Sequence, residues 1–202
     1  SKITKKVLDN APELLVVGAF CIGTDQIDMN ACNKNGVAVF NAPYSSTRSV
    51  VELTLGEMIM LLRRVFDKSV NLHKGIWDKG ASGSFEMRGK TLGIIGYGNI
   101  GSQLSFIAES LGMKVCFFDL AEKSAIGNAE KCKTMEELLK KSDIVTIHID
   151  ARPANKNLMD KKQFALMKKG SYFLNLSRGN VVNLDALADS LKSGYLKGAG
   201  ID

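Results

Sequence analysis

The sequence predicts an α/β doubly wound parallel sheet, and three observations predict it. Apolar runs of strand length recur through the 202 residues, at 14–20, 37–40, 91–96, 114–119, 143–149, 171–176 and 198–201. The runs are unbroken rather than alternating, as expected of strands covered on both faces. Helix signals fill the segments between them, and alternation of strand and helix builds a parallel sheet.

The helix signals are local and specific. In "TMEELLKKS", Thr134 with Glu137 three residues later forms a capping box. In "NLDALADSLKSG", Asn183 caps, Asp185 lies in the first turn and Gly194 stops the helix. One interval breaks the rhythm. Residues 48–67 predict a single long helix rich in Met and Leu, and a polar, glycine-containing stretch after it holds the one tryptophan, Trp77. Pro43 sets a turn after the second strand. A domain boundary is therefore expected there, with residues 1–41 on one side and 42–202 on the other.

Composition narrows the function classes. At 45% hydrophobic and 24% charged, the chain reads as an ordinary globular protein long enough for one domain, or one and part of another. No apolar run approaches the roughly 18 residues that span a bilayer, and "SKITKKVLDNAPE" lacks the apolar core of a signal peptide. Cys21, Cys32, Cys116 and Cys132 form no C-x-x-C pair and no metal-ligand spacing, so no metal is expected and a reducing cytoplasm fits. The net charge of +6 comes from scattered lysine pairs without interleaved aromatics. That pattern speaks against nucleic acid and leaves small anionic ligands as the class the charge would serve.

The chemistry-bearing motif is "TLGIIGYGNIGSQLSFIAESLG". Gly96, Gly98 and Gly101 fit G-x-G-x-x-G directly after a strand and at the start of a helix. Gly96 permits the tight turn, Gly98 lets backbone approach a pyrophosphate, and Gly101 lets helix and strand pack closely. The pyrophosphate would sit on the helix N-terminus, which favours negative charge. The next strand ends in Asp119, 18 residues after Gly101. A carboxylate there can accept from ribose hydroxyls and repels a 2′-phosphate, so NAD is expected rather than NADP. Downstream, "SYFLNLSRG" places Arg178 at the mouth of an apolar strand. A fixed cation at the C-terminal edge of a parallel sheet can grip a carboxylate with two bonds and stabilise charge developing on oxygen.

Beyond these motifs, "FCIGTDQIDMNACNKNGVAVFNAPYSSTRSVVELTLGEMI" and "MRGKTLGIIGYGNIGSQLSFIAESLGM" resemble the NAD-dependent D-isomer-specific 2-hydroxyacid dehydrogenases, above all their phosphoglycerate-oxidising branch. The resemblance runs through essentially the whole chain. It implies a Rossmann-type NAD-binding domain over 42–202 with a dimerisation helix and arm, and part of a flavodoxin-like α/β substrate domain over 1–41. It implies oxidation of D-3-phosphoglycerate to 3-phosphohydroxypyruvate, the first step of serine biosynthesis. Another small D-2-hydroxyacid, such as glycerate or 2-hydroxyglutarate, is the alternative substrate, and an NAD-binding corepressor is a more distant reading.

By the same resemblance Arg178 is the catalytic arginine. Asn99 and Ile100 face the pyrophosphate, Asp119 the ribose, and Leu176, Ser177 and Asp202 the rest of the cofactor. His148 is a wall residue rather than the acid, His73 is surface, and Ser46 contacts substrate. The family's catalytic Glu and His are expected downstream of Asp202, so the chain reads as an inactive internal piece of a longer one. A homodimer through the nucleotide domain is implied, with a higher oligomer open for the longer chain. Three positions depart from the family pattern: Asp150, where Pro is common, Asn155, where Thr is, and Ser46, where Asn is.

Overall fold

The computed structural model describes residues 2–202, which divide into two compact units, one extending to Arg48 and the other Ser49–Asp202. In the first unit α1 (Lys5–Asp9), β1 (Val16–Ala19), α2 (Met29–Lys34) and β2 (Ala38–Asn41) follow one another, and the two strands pair in parallel. Leu8, Ile27, Ala31, Cys32 and Val37 form its core. The Asp28 carboxylate caps α2 by accepting from the Ala31 N–H at 2.9 Å. The Ala42 N–H donates to the Cys21 carbonyl at 3.1 Å. The turn after β2 is thereby tied to the first unit, and the division falls at Arg48 rather than after Asn41.

The second unit opens with α3 (Thr47–Leu62, entered just before the division) and α4 (Val65–His73), followed by β3 (Thr91–Ile95), α5 (Asn99–Ser110), β4 (Lys114–Phe118) and β5 (Glu130–Lys131). Then come α6 (Met135–Lys141), β6 (Ile144–Ile147), α7 (Lys161–Leu166), β7 (Tyr172–Asn175), α8 (Leu184–Lys192) and β8 (Gly198–Ile201). Six parallel strands run in the order β5-β4-β3-β6-β7-β8. The chain winds outward in both directions from β3, so the order reverses between β3 and β6. In such sheets the crevice beyond the strand ends at that point takes the ligand. All seven strands expected from the sequence form. The eighth, β5, is two exposed charged residues on an edge and has no apolar run to announce it.

Alternation along each strand fills two cores. Leu92, Ile94 and Leu174 face Val51, Met58 and Leu62 of α3 and Leu104 of α5. Ile95, Val145, Ile147 and Phe173 face Leu138 and Leu139 of α6, Phe164 of α7 and Leu187 of α8. Gly93 lies under α6, where a methyl group would collide with Leu138 and Ser142, so its missing side chain lets this helix close on the sheet. Asn183 caps α8 as expected, accepting from Asp185 and Ala186. Thr134 caps α6, while the Glu137 carboxylate reaches back to the Lys133 N–H instead of closing the box on Thr134.

The long helix expected over 48–67 is two helices. α3 stops at Leu62 because its terminal carbonyls are claimed from outside: Phe85 N–H donates to Leu62 O at 2.9 Å and Ser84 Oγ to Arg63 O at 3.4 Å. Arg64 then takes a left-handed backbone, φ +56°, and α4 sets off in a new direction through His73. The polar arm that follows is held by cations on its carbonyls. Lys68 Nζ bonds Asp78 O and Gly80 O, Arg64 bonds Ser82 O, and Lys197 Nζ bonds Gly83 O.

Candidate functional site

Beyond the C-terminal ends of β3, β4 and β6 lies a cavity of about 440 Å³. The turn from β3 into α5 forms its floor. Gly96 has φ +91°, a conformation L side chains rarely adopt, and any Cβ there would drive into the His148 carbonyl and Ile149. A Cβ on Gly101 would strike the Gly96 carbonyl, so helix and turn also touch backbone to backbone. Gly98 is different. Its backbone is extended and a Cβ would meet nothing within 4 Å, so the protein's own packing does not require a glycine there.

α5 also differs in its start from the other helices that follow strands of this sheet. Side chains of Thr134, Asp160 and Asn183 cap α6, α7 and α8, whereas the N-cap of α5 is Gly98, which has none to offer. Its first-turn N–H groups therefore keep their capacity for an anion, with the helix dipole behind them. Asp119, just past β4, braces the turn from the side. Its Oδ2 accepts from the Tyr97 N–H at 2.7 Å and its Oδ1 from the Ala121 N–H at 2.8 Å. A carboxylate has about four lone-pair sites, so acceptor capacity remains toward the cavity.

His148, the residue after β6, lines the wall. Its Nε2 is 3.0 Å from Thr146 Oγ1, its Nδ1 is buried without a partner, and burial pushes the imidazole down to about 4. The ring is neutral at neutral pH, which suits a wall residue. Phe118, Met135, Ile149 and Leu158 supply apolar surface.

The cavity thus brings together Gly96, Gly98, Asp119 and His148, with Asn99, Ile100 and Gly101 in the adjoining first turn of α5. Leu176, Ser177, Arg178 and Asp202 do not line it; they follow the ends of β7 and β8, on the far side of β6 in the same edge. Asn175 organises that part. Its Nδ2 donates to Arg178 O at 2.9 Å, its Oδ1 accepts from Ser177 N and Oγ, and its backbone carbonyl accepts from Asp202 N. Leu176 is a core residue, so only its backbone is available to a ligand. Arg178 is half-buried, and its guanidinium donates to Ser177 O at 2.9 Å. Ser46 lies in the turn that closes the first unit. His73, on the surface, has its Nδ1 2.8 Å from the Ser69 carbonyl.

Arg152 was not foreseen. It lines the cavity and grips Asp150, with Nε 2.7 Å from Oδ1, and Asn155 Nδ2 donates to the same carboxylate at 3.0 Å. The hydrogen bond from Arg152, more than any other influence, holds the Asp150 carboxyl below the usual range. Asp150 and Asn155 were visible as departures in the sequence; the network shows that the rim is a polar clamp where a proline is common.

Residues 55–202 match the D-isomer specific 2-hydroxyacid dehydrogenase, NAD binding domain, family model. The chain belongs to this family. It is 52% identical over 200 residues to D-3-phosphoglycerate dehydrogenase of Haemophilus influenzae, covering 99% of this chain and 49% of that protein. The D-3-phosphoglycerate dehydrogenase of Escherichia coli K12 is 50% identical, with the same coverage. The chain thus spans about half the length of these curated relatives. Among solved structures, D-lactate dehydrogenase from Aquifex aeolicus, complexed with NAD and lactic acid, superposes with a TM-score of 0.90 at 29% identity, covering 100% of this chain and 61% of that one. A Rossmann domain binding NAD is thereby the frame in which the cavity is read.

The His148 environment makes stability depend on pH. A base whose folded pKa is depressed takes up its proton on unfolding, so stability falls as pH drops from about 6.5 toward about 4. Urea unfolding of the wild type and His148→Asn across this window should show the variant losing less stability on acidification, by up to about 3 kcal/mol. Parallel pH profiles would contradict the assigned burial.

Proposed function

We propose that this chain is the NAD-holding part of a D-3-phosphoglycerate dehydrogenase of the reducing cytoplasm, which oxidises the C2 hydroxyl of its substrate to the ketone of 3-phosphohydroxypyruvate in the first step of serine biosynthesis. One observation carries the reading: identity of about half to proteins of that name extends over 200 residues, essentially all of the chain, a stretch that spans the glycine turn, Asp119 and the strand end bearing Arg178.

The residues present fit the cofactor. The uncapped start of α5, with Gly98, Asn99 and Ile100, receives the pyrophosphate, and the open space at Gly98 is where it approaches. Asp119 accepts from the adenosine ribose, while the apolar wall with His148 flanks the base. Asp150 on that rim is ion-paired with Arg152, so the discrimination against a 2′-phosphate rests on Asp119. Ser177, the backbone of Leu176, and Asp202 hold the other end. When bound, NAD supplies the hydride acceptor. Arg178 grips the substrate carboxylate and stabilises charge on the C2 oxygen as the carbonyl forms. Ser46 contributes to substrate contact.

In the complete enzyme, Arg178→Ala should lower kcat/KM at least about 100-fold, close to 2.7 kcal/mol, with NADH affinity changed far less. Arg178→Lys should remain impaired, because an ammonium lacks the planar fork. Near-normal turnover by the lysine variant would refute the role.

The same reading includes a homodimer. α4 buries none of its residues, and Val65, Phe66, Val70 and Leu72 on it are exposed, as are Ile76 and Trp77 just beyond. Trp77 keeps 77% of its surface open. An apolar helix face and a bare tryptophan on an arm are what a two-fold interface uses, whereas Val51, Met58 and Leu62 of α3 already serve the core. Light scattering at micromolar concentration should give a dimer, and Trp77→Ala should weaken it at least about tenfold. A monomeric wild type would overturn this part.

A further inference from the structure

The cavity has two walls, and one of them carries a group that no cofactor contact yet uses. In the sheet, β3 lies between β4 and β6, so the glycine turn is flanked by the ends of both neighbours. Asp119 and Leu120 stand on the β4 side, Ile149 and Arg152 on the β6 side, and all four line the cavity.

Arg152 is fixed at both ends. Its backbone precedes Pro153, and a residue before proline is driven into extended conformation; here φ is −56° and ψ 151°. Pro153 opens a short turn through Asn155, whose N–H donates to the Arg152 carbonyl at 2.9 Å. The side chain is held as firmly. Nε donates to Asp150 Oδ1 at 2.7 Å and Nη2 donates to Oδ2, and two such bonds confine a guanidinium to one plane. The Arg152 N–H adds a third bond to Asp150 Oδ1 at 3.1 Å. Asp150 is anchored in turn by the buried Asn155, whose Nδ2 donates to Asp150 O and Oδ1, each at 3.0 Å.

Stability does not account for so much fixing. The Arg152 side chain keeps 60% of its surface open, and an exposed ion pair adds at most about 1 kcal/mol to a fold. What the clamp achieves is geometric. A bidentate pair occupies the edge of a guanidinium and leaves its flat faces for stacking. The Asp150 hydrogen bond above all, and the Asp119 charge after it, favour the charged form of Arg152. Arg152 and the carboxylate assigned to the ribose therefore serve the same space.

We propose that Arg152 recognises the adenine of the dinucleotide, its clamped guanidinium stacking on the purine at the rim of the cavity. This inference rests on the cavity being the NAD site and deepens that reading, with Asp119 meeting the ribose and Arg152 the base. A purine is flat, polarisable and uncharged, and its charge-matched partner here asks for no anion. Stacking of this kind is worth about 1–3 kcal/mol per base. Holding the plane before the ligand arrives removes an entropic cost of binding.

Calorimetric titration of the chain with NADH, with ADP-ribose and with reduced nicotinamide mononucleotide, which lacks the adenosine half, tests the assignment. Arg152→Ala should weaken NADH and ADP-ribose alike by at least about fivefold and the mononucleotide by less than about twofold, at an unchanged melting temperature. Arg152→Lys, which keeps the charge, should lose nearly as much, because an ammonium has no face to stack. Both losses should persist at high ionic strength, where a contact to phosphate would be screened. Wild-type NADH affinity in either variant, an equal loss for the mononucleotide, or a loss that salt abolishes would each overturn the assignment. Should Arg152→Ala fold poorly, the lysine variant decides alone. A wild type that binds none of the three ligands would overturn the NAD reading of the cavity together with this inference, whereas binding that is indifferent to Arg152 overturns this inference alone.

Discussion

The close approach at Gly96 is the constraint on which the rest of the nucleotide unit depends. There the end of β3, the carbonyl of His148 after β6 and the first turn of α5 meet backbone to backbone, with no room for a Cβ at Gly96 or Gly101. Because β3 and β6 are also the strands between which the winding order reverses, this contact sets the width of the crevice. Asp119 then locks the turn from the neighbouring strand through the Tyr97 N–H, and Gly96 N–H closes on Phe118 O at 2.9 Å. The carboxylate expected to meet a ribose is thus also a structural brace, which ties the position of one ligand contact to the shape of the other.

Polarity in the molecule follows from the parallel sheet. Every strand points the same way, so all C-terminal ends, with the glycine turn, His148, Arg178 and Asp202, fall on one edge. All N-terminal ends, with Lys90, Asp143 and the residues around Tyr172, fall on the other. The first edge offers helix N–H groups and apolar walls. The second offers ammonium groups and one buried hydroxyl.

Much of this was legible in the sequence because buried parallel strands and a glycine turn leave direct traces. "TLGIIGYGNIG" announced strand, turn and helix together, and Asn183 announced the start of α8. What was not legible depended on distant parts of the chain. The break after Leu62 needs Ser84 and Phe85 to return and take the helix carbonyls, and nothing within 48–67 signals that. β5 exists only because it lies beside β4. In the site, Asp119 was placed from local sequence and His148 from the family resemblance, whereas the Arg152–Asp150–Asn155 clamp was visible only as departures from a pattern. Phe85 under two lysines joins residues more than a hundred positions apart and leaves no local trace.

The central claim is that the turn at the end of β3 is shaped by a ligand where it is open and by the protein where it is closed. Calorimetric titration of NADH into the wild type and Gly98→Ala tests it most directly, because a methyl group at Gly98 meets no protein atom within 4 Å. The account predicts that Gly98→Ala keeps its melting temperature and loses at least about tenfold in NADH affinity, roughly 1.4 kcal/mol. Wild-type affinity in a normally folded Gly98→Ala protein would contradict it.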